Sequence, residues 1–488
     1  MKLYFKFTTS FFVVVLSLIN GNASAQKTLT LNDCIKQAVA SNLQIQQQLY
    51  ATQTAQANKL QANANALPSV NAYGTHNYNF GQTIDRFTNQ FIQGKAVQSN
   101  NFYVQGAWTL FAGGQNYNNI QQANVNLLAS QYDYDNMRNT ITQNVAQNYL
   151  QVLLNTEVLK VAKNQLAQTI VNIDMVTKRV NAGTAPQLDL LTMQGQKASE
   201  ELNAVTAENN YALTLLSLMQ LMNLADTLQI TLAPIENLDS YILNTTPINT
   251  ASIYTEAKKN RPEIASVETK LRSALFARRN AQGAAIPTLT FNASVGTGYS
   301  GQSKQIVGTP TVSGANLSGY AEFVNPLNNE VVQAPTYTPT FDYVTRTTPF
   351  NTQIKSNINQ SVGFSLQVPI FNNLRTHTAV QRARINEQIA QVNVTTAQQQ
   401  LYKTVQQAVM EMNAANNKLS AMAQVLNTQK ETYIQATQRH NVGLLNSMDY
   451  LKFKTSLAKA EADYAQSKYE YVFKKTIVQF YATNKIEL

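Results

Sequence analysis

The sequence is short of charge, cysteine and long apolar runs, and each shortage closes off a class of answer. Charged residues make up 13% of the 488 positions, and Asn and Gln carry much of the polarity. The formal charge of +10 comes from dispersed bases, so it reads as a solvated surface and not as a nucleic-acid footprint. Cys34 is the single cysteine, so no internal disulfide can form. It reads as a small residue on a helix face. His76, His377 and His440 are the only histidines, and none has metal-ligand spacing with Cys, Asp or Glu. No G-x-S-x-G and no P-loop is present. Gly296-Thr297-Gly298-Tyr299-Ser300-Gly301 matches G-x-G-x-x-G, but a Pro-rich stretch follows where a helix should open, so the context of a dinucleotide site is missing. With no constellation that could do chemistry, the chain reads as a non-enzyme without cofactor or metal.

Long apolar runs are confined to the beginning. Lys2 and Lys6, the run from Phe11 to Ile19 and Ala23-Ser24-Ala25 read as a signal peptide over 1–25. Its removal takes two lysines and no acid, which lowers the net charge to +8. No later segment has 18 consecutive apolar residues, so no transmembrane helix is expected. The remaining chain is expected to be secreted or to span a membrane as a β-barrel.

What is present is a duplication. Arg179 to Gly183 followed by Asp189 matches Arg439 to Gly443 followed by Asp449, an offset of 260 that also links Phe111 to Phe371 and Val145 to Val405. Upstream the offset is 219, linking Ala38 to Ala257, Ile45 to Ile264 and Pro68 to Pro287. The second half therefore carries 41 extra residues between its Pro and its Phe. Each half reads helix, strand, loop, strand, long helix, turn, helix, a mostly α chain with a small β part. The first repeat is 26–223 with a β-hairpin at 68–111. The second is 251–482 with a hairpin at 287–371. A Pro-bearing linker, 224–250, lies between them, and 483–488 is a tail.

Four segments alternate with period two: Val70 to Phe80, Asn101 to Phe111, Thr288 to Tyr299 and Gln360 to Ile370. One face holds Val104, Trp108, Phe291, Val295, Phe364 and Leu366; the other is Asn, Thr, Ser, Gly and Gln. None of the four contains Lys, Arg, Asp or Glu, and each has about the length that crosses a bilayer at a tilt. A soluble sheet normally puts Lys or Glu on its wet face; this second face suits a water-filled lumen. His76 is the exception on the apolar side and suits an interface position. The connection 300–359 is long, polar and Pro-rich, as connections on the outside of a cell are. Four strands cannot close, and an open edge in lipid leaves backbone groups unpaired at several kcal/mol each. Two copies give 8 strands and three give 12; closure does not choose between them.

The segment from Asn116 to Val180 has no proline and steps by seven through Ile120, Leu127, Tyr134 and Ile141, then Val145, Val152, Leu159, Leu166, Ile173 and Val180. The four-residue step between Ile141 and Val145 is a stutter in a coiled-coil seam. The second half repeats the later register from Val405 to His440. On the return helix the expected seam is Leu188, Leu191, Gly195, Ala198, Leu202, Val205, Asn209, Ala212, Leu216 and Met219. Each long helix opens directly after a strand, at Phe111-Ala112-Gly113-Gly114 and Phe371-Asn372-Asn373, where Gly and Asn supply the positive φ of a bend.

These motifs in order resemble the TolC-like outer-membrane efflux channels over nearly the whole chain after residue 25. The resemblance implies a homotrimer in outer-membrane lipid, with a 12-stranded β-barrel above an α-barrel of coiled-coil helices in the periplasm. It implies an exit duct of a tripartite efflux or type I secretion system, docked on a periplasmic adaptor and an inner-membrane pump of RND, ABC or similar type. The turns at Gly183 and Gly443 then become a periplasmic entrance, with Arg179, Arg439, His440, Asp189, Asp449 and Lys452 around it. Three copies of Asp449 and of Asp189 would ring a narrow pore with carboxylates. Many relatives carry a second acid where this chain has Lys452, and often Tyr where it has His440, so the ring is expected to be weaker here. The competing reading from the residues is a non-conducting structural or adhesive envelope protein with long coiled coils. A further role open to both aspartates is capping of the helices that follow.

Overall fold

The structure, a computed structural model, describes residues 27–225, 230–235, 238–243 and 249–486. The expected signal peptide lies outside the described residues. The first repeat runs β1 (Lys27–Leu29), α1 (Leu31–Ser41), α2 (Leu43–Ala64), β2 (Ser69–Asn79), β3 (Thr83–Ile84), β4 (Phe91–Ile92), β5 (Val97–Ala112), α3 (Gln115–Asn181) and α4 (Gln187–Leu221). Between the repeats lie β6 (Ile230–Leu232) and α5 (Leu238–Leu243). The second repeat runs α6 (Thr250–Asn260), α7 (Pro262–Gly283), β7 (Thr288–Ser300), β8 (Lys304–Ile306), β9 (Thr311–Val324), β10 (Val331–Asp342), β11 (Thr345–Thr347), α8 (Phe350–Ser356), β12 (Asn359–Gln367), α9 (Arg375–Asn441) and α10 (Ser447–Thr483).

Two compact units divide the chain. One is helical, containing Gln121–Phe276 and everything after Ala383 together with the residues up to Lys59; the other holds the strands, in Leu60–Ile120 and Ala277–Arg382. In the helical unit the duplication reappears as two equivalent cores. Cys34, Ala38 and Ile45 pack with Ile141, Val145, Tyr149, Val152 and Leu218. Shifted by the two offsets, those become Ile253, Ala257, Ile264, Leu401, Val405, Val409, Met412 and Val478, and all eight belong to the second core. Cys34 is thus the counterpart of Ile253, and burial pushes its thiol up to about 12, with Asp33 adding to the rise. Each N-terminal helix breaks at an equivalent point. Asn42 leaves the helix and its side chain accepts from the backbone of Gln44 at 2.9 Å. Its counterpart Arg261 precedes Pro262, which opens α7, and its guanidinium lies over the Phe480 and Tyr481 rings, 4.9 Å from each centroid.

The sequence reading is corrected in two places here. The linker is built into the helical unit: β6 pairs in parallel with β1, and Tyr241 of α5 donates to Gln479 of α10 at 2.7 Å. The seam read on α4 is the wrong face for one chain, since Leu188 and Leu202 are 67% and 66% exposed, whereas Met193, Glu200, Ala204 and Ala207 are buried. The buried face mixes these with Leu218 and Met219, and most of the expected seam, Gly195 and Ala198 included, is left outside. On the long helices the expected register holds, with Ile141, Val145, Val152, Val405, Met412, Leu419 and Leu426 all buried.

The strand unit holds one four-stranded antiparallel sheet in the order β12-β7-β5-β2. Alternation puts Val104 opposite Val295 and Phe291 opposite Phe364 on the apolar face, and Tyr103 opposite Tyr73, their rings stacked at 4.8 Å, on the polar one. His76 is held on the apolar side by a hydrogen bond with the Asn100 side chain. The two hairpins share one register. Val70 faces Gly106 in the first, and shifting both by the sequence offsets gives Leu289 facing Leu366, the pair found in the second. β12 stops at Gln367, short of the expected Ile370, because Pro369 has no N–H for a ladder. The 300–359 connection is not a plain loop: β9 and β10 form an antiparallel hairpin within it. Pro335 and Pro339 sit inside β10, which a two-stranded ribbon tolerates because every strand is an edge.

At the strand-to-helix junctions the left-handed residues appear where expected: Gly113 (φ +56°), Gly114 (φ +77°) and Asn373 (φ +54°), joined by Leu374 (φ +61°). Gly113 lies against Gly283 at the end of α7, and a Cβ on Gly113 would also meet Ile286 Cβ at 2.7 Å. Around Gly114 the nearest atom to such a Cβ is Asn118 Nδ2 at 3.8 Å. Gly113→Val should therefore destabilise the protein by about 3 kcal/mol and Gly114→Ala by only about 1 kcal/mol. Thermal midpoints of the two purified variants check this, and equal midpoints would refute the close approach.

Candidate functional site

The site is built on the two helix-turn-helix tips. Both long helices end in the same hydrogen-bonded turn. Gly183 N–H donates to Val180 O at 2.9 Å and Thr184 N–H to Arg179 O at 2.9 Å. At the other tip Gly443 donates to His440 O at 3.0 Å and Leu444 to Arg439 O at 2.8 Å. The glycines, at φ +72° and +79°, supply the left-handed residue that closes a helix C-terminus this way. Arg179 and Arg439 occupy last turns, where a cation suits the helix dipole; neither makes an ion pair among the described residues.

Asp189 and Asp449 stand in the first turns of α4 and α10, at the ends that favour an anion. Their surroundings differ. Asn446 caps α10 by accepting from Asp449 N–H at 2.8 Å, and its amide donates to the Asp449 carboxylate at 2.8 Å. Lys452 Nζ donates to the same carboxylate at 2.9 Å. The Lys452 and Asn446 hydrogen bonds hold the Asp449 carboxyl below its ordinary value near 3.8. The folded tip thus binds a proton less readily than the unfolded chain. Its contribution is complete above the ordinary carboxylate range and fades as pH falls through the lowered value. Asp189 follows Pro186, which makes no side-chain cap, and has no ion pair among the described residues.

Above the tips, the two repeats are joined by polar contacts that break the duplication. Tyr450 is 4% exposed; its hydroxyl hydrogen-bonds that of Tyr433 at 2.9 Å and accepts from Asn172 Nδ2 at 3.3 Å. His440 stacks on the Tyr450 ring at 4.6 Å, and its Nδ1 is 3.0 Å from Leu445 O. Further along α10, Lys454 is 1% exposed. It donates to Glu200 of α4 at 3.1 Å and to Gln165 O of α3 at 2.8 Å, and it also hydrogen-bonds Thr169. Burial pushes the Lys454 ammonium down, and Glu200 opposes that fall. The positions equivalent to Lys454 and Glu200 in the other repeat are Gln194 and Ala460, so this buried pair exists once per chain. Sequence reasoning missed Lys454, Glu200 and Tyr450. The signal was Lys454 itself, the one charged residue in the buried run Tyr450, Leu451, Lys454, Leu457.

Removing one member leaves a buried charge alone. Lys454→Met or Glu200→Gln should each cost about 3–5 kcal/mol, with the double variant Lys454→Met/Glu200→Leu recovering most of the loss. Thermal melts of the three variants check this; a double variant as unstable as the singles would refute the pairing.

Among the described residues there is no cluster of His, Cys, Asp or Glu able to hold a metal, and no helix is long and apolar enough to cross a membrane. The pattern described as outer membrane efflux protein matches residues 34–224 and 253–475, one stretch per repeat. The chain is 23% identical over 344 residues to outer membrane protein TolC of Escherichia coli, covering 70% of this chain and 60% of that one. It is 29% identical over 173 residues to the pyoverdine export outer membrane protein OpmQ of Pseudomonas aeruginosa, 35% of either length. In fold it is similar to the Campylobacter jejuni CmeC outer membrane channel, with a TM-score of 0.69 at 16% identity over 93% of this chain and 85% of that one. It is similar in the same way to VceC of Vibrio cholerae, with a TM-score of 0.69 at 14% identity over 93% and 96%. With both repeats matched in order, this chain belongs to the outer membrane efflux protein family.

Proposed function

We propose that this chain is one subunit of a homotrimeric outer-membrane exit duct, through which cargo delivered by an inner-membrane pump and a periplasmic adaptor leaves the cell passively. The system is of the tripartite efflux or type I secretion kind. The observation that carries the reading is the four-stranded sheet, which has one apolar face, one neutral polar face and two strands, β2 and β12, paired on one side only. Three copies supply 12 strands and leave no edge in lipid. The exposed apolar stripe of α4, with Leu188, Leu191, Leu202 and Val205, is the matching feature in the helical unit and faces the neighbouring copy in this arrangement. The Tyr450 contacts and the Lys454–Glu200 pair hold the two tips of one chain together at rest. Asp449, already engaged by Lys452, and the unpaired Asp189 ring the entrance and favour cations there.

The duplication specifies the seam between copies. Within the chain, Gln105 of β5 faces Ser294 of β7. The equivalent positions are Ser365 of β12 and Thr75 of β2. Ser365 therefore pairs with Thr75 of the partner subunit. The double variant Thr75→Cys/Ser365→Cys should form oxidised trimers that survive boiling without reductant, and Asn77→Cys/Ser365→Cys should not. Cross-linking of the second variant in place of the first would overturn this register while keeping the trimer.

In planar bilayers the purified protein should open discrete channels. Asp449→Ala should lower their preference for potassium over chloride about two-fold, a modest change because Lys452 offsets the charge. Unchanged ion preference would remove Asp449 from the selectivity role. A protein that never conducts would favour the structural or adhesive reading.

A further inference from the structure

The turn after β3 is fastened to the sheet with more care than a connecting loop needs. Asp85 is 2% exposed and accepts the Ser300 hydroxyl, and Ser300 is fully buried at the end of β7. Asp85 also accepts from Phe87 N–H at 2.9 Å and Thr88 N–H at 3.4 Å. On the other side, Gln353 of α8 accepts from Ser300 N–H at 2.9 Å and donates to Ser300 O at 2.9 Å. This buried polar cluster fixes the backbone of residues 85–88 and so the direction of the side chains it carries.

Phe87 packs over Gly298, where any Cβ would fall inside its ring. Gly298 shares the polar face of β7 with Ser294 and Asn292, so Phe87 sits on that face. The glycine that looked like part of a nucleotide-binding pattern is thus the seat of an aromatic ring. Beside it, Arg86 is exposed and makes no ion pair among the described residues. It lines a cavity of about 540 Å³ with Asn101, Tyr103, Gln105, Asn292 and Ser294, and it is the only charged residue on that wall. A guanidinium carried by a fixed backbone beside a neutral amide and hydroxyl surface is a fork for phosphate or carboxylate oxygens.

We propose that the 85–87 turn forms a constriction at the outer end of the duct, with Arg86 as a binding site for anionic solutes and Phe87 as its positioning residue. The inference rests on the trimeric duct reading, in which the polar face is the lumen and three Arg86 side chains make a basic ring opposite in sign to the tip aspartates. The first repeat supplies this ring alone. Under the offset of 219 the equivalent segment of the second repeat is β8, which is drawn into a two-stranded pairing with β11 instead of a turn over the polar face.

The test is block of single-channel current in planar bilayers by inorganic tripolyphosphate, added to each side in turn. The wild-type channel should be blocked from one side only. Arg86→Gln should raise the half-blocking concentration about ten-fold, with Arg86→Lys retaining most of the block. Phe87→Ala and Gly298→Ala should each raise it about three-fold, because both unseat the turn without removing the charge. Equal block of wild type and Arg86→Gln, or a conducting wild type with no block, would overturn the inference and leave the duct reading standing. If Phe87→Ala and Gly298→Ala both match wild type, Phe87 does not position Arg86. A wild-type protein that forms no channel removes the duct reading and this inference together.

Discussion

The constraint on which the rest depends is backbone hydrogen bonding at the two outer strands of the four-stranded sheet. β5 and β7 are paired on both sides, whereas β2 and β12 each present a row of N–H and C=O groups with no strand beside it among the described residues. In water such an edge can be solvated; in hydrocarbon every unpaired group costs several kcal/mol. A sheet with no charge in its interior, apolar on one face and neutral on the other, has a stable place only where that edge is closed by more strands. In the proposed trimer, the sharing of the sheet between two repeats and the apolar stripe that α4 turns outward both serve to build a closed structure out of partial ones.

Duplication gives that structure most of its regularity, and the residues of the proposed sites lie where the regularity fails. Eight residues of one core map onto eight of the other under the offsets, and the two tips end in the same turn. The departures are few. Tyr450 and Lys454 bind the second tip to the first, where strict repetition would leave apolar or neutral side chains. Asp449 acquires Lys452, while Asp189 has no such partner among the described residues. The connection from β2 to β5 brings Arg86 and Phe87 over the polar face, and the connection from β7 to β12 extends into a ribbon. A two-stranded ribbon has little stability of its own, which sets β9 and β10 apart from the sheet that bears them.

Much of this was legible in residue order. Period-two alternation located the four strands to within a few residues, because a pleated strand with two different faces must alternate. The missed end of β12 came from Pro369, whose absent N–H stops the ladder before the alternation stops. The long helices were legible because a seven-residue apolar step has no other economical use over that length. The α4 seam was misread for a physical reason: the helix carries apolar residues on more than one face, and spacing alone does not say which face its own chain covers. Tripeptide chemistry sufficed for Gly183, Gly443, Gly113 and Asn373, since each bend needs a left-handed residue.

Residue order was enough for what is local or repeated: the elements, the strand faces, the tip turns, the duplicated plan and the family resemblance. Only the tertiary structure decided which residues meet across elements. It brought Lys454 to Glu200 over 254 positions, Tyr450 to Asn172 over 278 and Ser300 to Asp85 over 215. Such pairs leave no periodic trace, because a single buried hydrogen bond between distant segments constrains two residues and nothing around them. Gly298 shows the difference most plainly. Its neighbours in sequence match a glycine spacing whose context is missing, and its neighbours in space make it the gap into which Phe87 fits.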